Sequence, residues 1–319
     1  MLHAPISFPD DRAQSIVNQE FQSERLFYPK AFHEREKVLP QIPQIYHQLR
    51  ILLHKKRWAL RFSQIVRGWL ILGPFRQSAI RYYQRRNHVR PMQVERHDLF
   101  PKLEVDPVVN SLNERGYANG WKIPEEYVAR IIQYTEDTKF LKYWNPHRGC
   151  EAIDQIARNE KLVEIARQYL GSEPILWLTQ LKWSFGNKAD KERQGLLSSR
   201  NVPVQYDGDA FHYDTLDFKS LTVFIYLTDV DASCGPHILI ENTHKTKSFG
   251  EICRIILSDT VAQQRFGDRI KPMLGEKGTM VFEETSAFHK ASRCQTKRLM
   301  LSIDYVLQRS PPPERPIMA

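Results

Sequence analysis

Long hydrophobic runs are missing from this chain. In the N-terminal third of its 319 residues, the most apolar charge-free stretch is residues 68–75, eight residues between Arg67 and Arg76. A membrane helix needs about 20. The opening, MLHAPISFPDD, has neither a basic start nor an apolar core, so no secretory signal is expected there. Cysteine is scarce. Cys150, Cys234, Cys253 and Cys294 are separated by 84, 19 and 41 residues, and no pair is spaced for a zinc knuckle. A chain of this size needs no disulfide framework, so reduced thiols and a cytoplasmic location are expected. Acidic residues are absent from one region altogether. Residues 37–94 hold no Asp or Glu over 58 positions, but 12 Lys and Arg. What is present is ordinary: 41% hydrophobic and 26% charged residues, enough for a real core, which disfavours disorder, collagen and coiled coil.

The net charge of +9 is therefore local. Outside residues 37–94 the chain carries 34 basic against 37 acidic residues. Inside that stretch Trp58, Phe62, Ile65, Val66, Trp69 and Leu72 recur at spacings of three and four, which predicts an amphipathic helix. Gly73-Pro74 interrupts it, and a second basic helix is expected over 75–87. Two readings stand. The segment packs its apolar stripe on the main domain and leaves its arginines in water. Alternatively, it docks something anionic: a membrane face, a phosphorylated substrate or an acidic carrier protein. Nucleic acid is disfavoured, because no recognisable binding module accompanies the charge.

Residues 95–107 carry two prolines and read as a linker. Helices are expected from Asp106 to the stop at Gly116, over 124–138, and over 151–170 up to Gly171. Beyond Gly171 the apolar period changes from 3.6 to 2. Strands are expected over 174–185, 210–214, 220–228, 237–241, 278–282 and 298–307. The polar stretch 186–205 reads as a long loop, of the kind that serves as a lid. Helices first and many short strands after predict an α+β chain with a β-sandwich or jelly-roll core. The expected division is 1–105 as an N-terminal extension with the basic segment 37–94, 106–309 as the main domain, and 310–319 as a Pro-rich tail.

Among 11 histidines only His212 is followed two residues later by a carboxylate, Asp214. On a strand, positions i and i+2 share a face, about 7 Å apart at the backbone, so both side chains can reach one ion. His289 follows 77 residues later, just after another predicted strand. Two histidines and one carboxylate on one side of a metal leave three positions open, which suits iron(II) that must hold a cosubstrate and oxygen together. A surface His-Asp pair is the bland alternative. His237 and His244 are read as structural, and His54 and His88 as solvated.

The runs FHYDTLDFKSLTVFIYLTDVDASCGPHILIENTHK, GEKGTMVFEETSAFHKA and RLMLSIDYV resemble the phytanoyl-CoA dioxygenase family of iron(II)/2-oxoglutarate oxygenases. The resemblance covers about residues 108–309, including LNERGYANG and NEKLVEIARQYLGSEP. It implies a double-stranded β-helix, the cupin-like jelly roll, with N-terminal and flanking helices. It also implies His212, Asp214 and His289 as iron ligands, and Arg298 on the far carboxylate of 2-oxoglutarate. Gln180 and Thr215 are further candidate contacts to that cosubstrate. Oxygen is the second cosubstrate, and hydroxylation or another oxidation would release succinate and carbon dioxide. Two positions depart from the family pattern. Glu241-Asn242-Thr243-His244 stands where many members have Pro-Gly-Ser-His, and Ala291 stands where glycine or serine is frequent. Related halogenases lack the carboxylate, so Asp214 argues against halogenation.

Strand parity also singles out Arg298 among three nearby cations. Arg298, Met300, Ser302 and Asp304 share one face, and the greasier Leu299, Leu301, Ile303 and Tyr305 the other. The greasier face should lie under helices, leaving Arg298 to point into the barrel and Lys297 away from it. Arg293 lies in a turn where parity decides nothing. The expected substrate is a small molecule, or one bound to a lipid or carrier. Other readings remain open: a non-catalytic jelly-roll module working through its basic surface, or a metal-dependent cupin-like hydrolase.

Overall fold

Helical periodicity dominates the chain up to Leu170 and strand alternation dominates it afterwards, and the elements follow that division apart from two short strands before Leu170 and two short helices after it. The computed structural model describes residues 57–86, 89–138, 142–185, 210–245, 247–253, 256–292 and 294–308, all within one compact unit, Ile42–Ala319. Residues 1–56, the expected lid at 186–205, Arg293 and the tail lie outside the described residues.

Helices α1 (Arg57–Leu72) and α2 (Arg76–Arg86) form the described part of the basic segment. Then come α3 (Val105–Arg115), β1 (Tyr117–Lys122), α4 (Glu125–Thr138) and β2 (Lys142–Trp144). Gly116 ends α3 with φ +88°, where a side chain is strained, and a Cβ there would lie 2.6 Å from Nδ1 of His244. The expected helix over 151–170 is two helices, α5 (Glu151–Ala157) and α6 (Glu160–Leu170). Asn159 separates them. Its side chain accepts from the Lys161 amide at 3.1 Å and donates to the His97 carbonyl at 2.8 Å, so it caps α6 and cannot sit mid-helix.

The strand region holds β3 (Ile175–Phe185), β4 (Phe211–His212), β5 (Ser220–Tyr226) and β6 (His237–Ile240), then α7 (Phe249–Cys253), β7 (Ile256–Leu257) and α8 (Asp259–Phe266). It closes with β8 (Ile270–Met273), β9 (Thr279–Glu283), β10 (His289–Ala291) and β11 (Lys297–Val306). Two antiparallel sheets result. The six-stranded one runs β1-β9-β5-β11-β3-β2, and the five-stranded one β7-β4-β10-β6-β8. Strands β4, β6 and β10 belong to the smaller sheet, and β5, β9 and β11 to the larger. This to-and-fro path is the expected jelly roll.

Three apolar clusters fix the layers. The largest lies between the outer face of the six-stranded sheet and helices α3 to α6. It takes Leu299, Leu301, Ile303 and Tyr305 from β11, so the greasier face of that strand does lie under helices. A small cluster of Tyr117, Phe224, Leu239, Met273 and Val281 fills the space between the sheets, with Met300 against it. The third joins Phe211, Ile240, Leu257 and Phe288 of the five-stranded side to Ile71, Leu72 and Ile80 of α1 and α2. Burying each of those three side chains contributes roughly 1.5–3 kcal/mol. The stretch expected as a linker is also packed: Leu99, Phe100 and Leu103 are buried in the helix-side core.

Candidate metal centre

His212 ends β4 and His289 opens β10, and the two residues are directly paired across the five-stranded sheet. Side chains on one face of an antiparallel pair meet, and these two rings have centroids 4.5 Å apart. The strand expected over 210–214 stops at His212, so Asp214 lies beyond it and not on the same strand face. A different device positions it: the Asp214 amide donates to the Thr285 carbonyl at 2.8 Å, which ties the loop to the segment leading into His289. The result matches the spacing argument. One ligand atom from each of His212, Asp214 and His289 lies within 4.8 Å of the others. Nε2 of His289 is 3.7 Å from Oδ2 of Asp214.

Both rings are oriented by main chain. Nδ1 of His212 is 3.2 Å from the Ala210 carbonyl, and Nδ1 of His289 is 3.1 Å from that of Ala287. A carbonyl accepts, so Nδ1 carries the hydrogen and Nε2 keeps its lone pair for a metal. His289 is buried. Burial first, then the His212 charge, lowers its pKa to about 4, so the imidazole is neutral at ordinary pH. The donor set of two imidazoles and a carboxylate fits iron(II).

A second polar group sits behind this site, unnoticed in the sequence. Glu283 is fully buried at the end of β9. One of its carboxyl oxygens is 3.6 Å from Nδ1 of His289, and the other 2.5 Å from Nε2 of His237. Burial is the leading cause of both shifts in this pair: Glu283 rises to about 7 and His237 falls to about 3. Low polarity disfavours both charged forms, moving the carboxyl toward its neutral form beside a neutral ring. Asp304 of β11 is pushed up to about 7 by burial and accepts from Oγ1 of Thr222 at 2.7 Å. The available signal for His237 and Glu283 was parity: His237 shares a strand face with Leu239, and Glu283 with Val281, on strands whose other face is core.

Arg298 is buried on the inner face of β11, and its guanidinium donates to the Gly235 carbonyl. Its Nε is buried with no protein partner. Lys297 is exposed, as parity expected, and Arg293 lies outside the described residues. Gln180 pairs with Ser302 across β3 and β11, which places it on the same inner face as Arg298. Thr215 follows Asp214, and its carbonyl accepts from Arg67 of α1, which also reaches the Leu216 carbonyl at 3.5 Å.

The basic segment holds the same region from behind. Buried Arg76 of α2 donates from Nε to the Phe218 carbonyl at 2.7 Å, from NH1 to the carbonyls of His244 and Lys245, and from NH2 to Oγ of Ser286 at 3.3 Å. It also pairs with the fully buried Glu284 at 3.6 Å. The loop after Asp214 and the turn before His289 are thus fastened to one guanidinium.

The chain is 25% identical over 185 residues to a probable alpha-ketoglutarate-dependent hypophosphite dioxygenase of Stutzerimonas stutzeri. That match covers 53% of this chain and 58% of the relative's length. Among solved structures, EctD of S. alaskensis in its apo form is 15% identical, with a TM-score of 0.49, over 72% of this chain and 89% of that one. HygX of Streptomyces hygroscopicus, with nickel and 2-oxoglutarate bound, is 14% identical, with a TM-score of 0.46, over 64% of this chain and 86% of that one. No family model matches the chain.

Proposed function

We propose that this protein is a non-haem iron(II)/2-oxoglutarate-dependent dioxygenase, in which His212, Asp214 and His289 hold the iron. The observation that carries the reading is the joining of two imidazoles and one carboxylate inside a jelly roll, with ligand atoms within 4.8 Å. The alpha-ketoglutarate dependence printed for the Stutzerimonas stutzeri relative supports it. A phytanoyl-CoA dioxygenase-like subfamily is the finer form of the proposal and rests on the sequence runs alone.

When bound, iron(II) supplies the chemistry that couples oxygen and 2-oxoglutarate to substrate oxidation, with release of succinate and carbon dioxide. The chain's own residues do the rest. Carbonyls of Ala210 and Ala287 fix the ring orientations. Glu283 and His237 form a dry wall behind His289. Arg298 offers the distal carboxylate of 2-oxoglutarate a planar, always-charged guanidinium, with its buried Nε as a donor. Gln180 and Thr215 are assigned to the same cosubstrate pocket. Asp214, 40% exposed, marks the side from which substrate arrives. The proposed substrates are small organic molecules, free or attached to a lipid or carrier. The proposed location is the cytoplasm.

The test is anaerobic purification, loading with iron(II), and a screen for substrate-stimulated succinate formation over lipids, acyl carriers, small metabolites and hypophosphite. Succinate that needs both iron and oxygen is expected. Turnover that proceeds without 2-oxoglutarate would favour the hydrolase reading. Tight binding of a screened compound with no succinate would favour the binding module.

Arg298→Ala should raise the apparent KM for 2-oxoglutarate at least tenfold, on the order of 1.4 kcal/mol for a lost charge-assisted pair. Iron binding should survive, since no ligand is removed. An unchanged KM in that variant, with a raised one in Arg293→Ala, would move the cosubstrate contact to the turn after His289.

A further inference from the structure

We propose that the outward face of α1 is a docking surface for an anionic lipid bilayer. The inference goes beyond the oxidative reading and does not depend on it.

Helix α1 is apolar on two sides. Gly68, Ile71 and Leu72 are buried and seat the helix on the domain. Phe62, Val66 and Trp69 lie at i, i+4 and i+7, on the other side, and are 61%, 38% and 37% exposed. Phe75 follows at 64% exposed, with its ring edge-on to that of Trp69 at 5.9 Å. Helix α7 packs against α1 and presents Phe249, 67% exposed. A helix that only covers a core turns its apolar residues inward. This one presents a row of large apolar side chains to water, which marks an interaction surface.

The charge of α1 and α2 selects the partner. Helices α1 and α2 carry seven arginines and no acid. Arg67 and Arg76 turn inward to carbonyls, whereas Arg81, Arg85 and Arg86 are exposed on α2. Aromatic rings entering the headgroup boundary, with guanidinium groups at the level of lipid phosphates, is the pattern of a helix lying in a membrane surface. A second copy would bring one acid-free face against another, like charge on like charge. Nucleic acid has no use for the exposed Phe and Val. Arg67 of this helix is hydrogen-bonded to the Thr215 and Leu216 carbonyls, so a docked α1 would hold the Asp214 loop near the lipid surface.

The experiment is co-sedimentation of the full chain with vesicles of phosphatidylcholine alone and of phosphatidylcholine mixed with phosphatidylglycerol. Binding to the mixed vesicles only is expected, reversed by high salt. The double variant Phe62→Ser/Trp69→Ser should weaken it at least tenfold with an unchanged melting temperature, because both side chains are exposed. Arg81→Gln/Arg85→Gln/Arg86→Gln should weaken it similarly. The proposal is overturned by no binding to either vesicle, by equal binding to both, or by full binding of the Phe62/Trp69 variant. It is also overturned if that variant dissolves a dimer in sedimentation velocity and leaves vesicle binding intact.

Discussion

Replacing Asp214 by alanine should abolish iron(II) binding, and with it succinate formation, in a protein that still folds. The side chain is 40% exposed, and its Oδ2 lies 3.7 Å from Nε2 of the neutral His289 ring. The bond that fixes the loop is made by the Asp214 amide to the Thr285 carbonyl, and alanine keeps it. Removing the carboxylate therefore takes away a ligand and leaves the scaffold. Loss of a group that merely orients a ligand costs about 10–100-fold in metal affinity, and loss of the ligand itself should exceed that. His212→Ala should behave in the same way. Glu283→Gln keeps all three ligands and should fall inside the orienting range. Anaerobic iron titration, with circular dichroism as the check on folding, separates the three variants. Iron affinity at the wild-type level in Asp214→Ala would remove the carboxylate from the centre.

The parts of the fold that could be read from sequence are those whose side chains repeat. β3, β5, β9 and β11 alternate over several residues because one face meets helices and the other the barrel interior, and their expected positions agree with the structure within two residues at each end. β4 and β7 are two residues long and β10 three, too short to show a period. Their pairing comes from the fold and not from local preference. Asp214 illustrates the consequence. The i, i+2 spacing pointed to a residue that the structure brings beside His212 and His289, but by a strand geometry that stops at His212. What holds it is a carbonyl 71 residues away in the chain, at Thr285. Glu283 and His237 were hidden for the same reason. They sit 46 positions apart and become a pair only when β9 and β6 face each other across the barrel.

The basic segment was half legible. Its helices and the Gly73-Pro74 break follow from spacing and from proline. The direction of its apolar stripe did not. Spacing alone grouped Phe62, Val66 and Trp69 with Leu72 as one apolar face, open to packing or to docking, whereas Leu72 is buried and the other three are exposed. A stripe wide enough to cover both sides of a helix has no preferred inward side until a sheet supplies one. Here the outer core of the five-stranded sheet takes Ile71, Leu72 and Ile80. Nor could sequence tell Arg76 from its neighbours. The Phe218 carbonyl and the Ser286 hydroxyl that it serves lie 142 and 210 residues onward.

That arginine carries the second large effect. Arg76→Ala should lower the free energy of unfolding by about 3–5 kcal/mol, the usual cost of removing one member of a buried pair. Glu284, fully buried, would keep three donors: the Tyr169 hydroxyl at 3.1 Å, the Ser220 amide at 3.3 Å and the Ser220 hydroxyl at 3.2 Å. It would lose its only cation within ion-pair distance among the described residues. The carbonyls of Phe218 and Lys245 would lose the Arg76 donor as well, and that of His244 would keep only the Ser286 hydroxyl at 3.1 Å. Lysine cannot replace this residue, because one ammonium does not span acceptors that a planar guanidinium reaches with three nitrogens. Arg76→Lys should therefore recover less than half of the loss. Pairing the change with Glu284→Gln removes the stranded charge, so the double variant should be less destabilised than the sum of the two single ones. Against a typical stability of about 5–15 kcal/mol, the single alanine variant should melt well below the wild type. Urea unfolding of the wild type and the four variants measures this directly. A loss under about 1 kcal/mol for Arg76→Ala would mean that the basic segment is not fastened to the barrel as described.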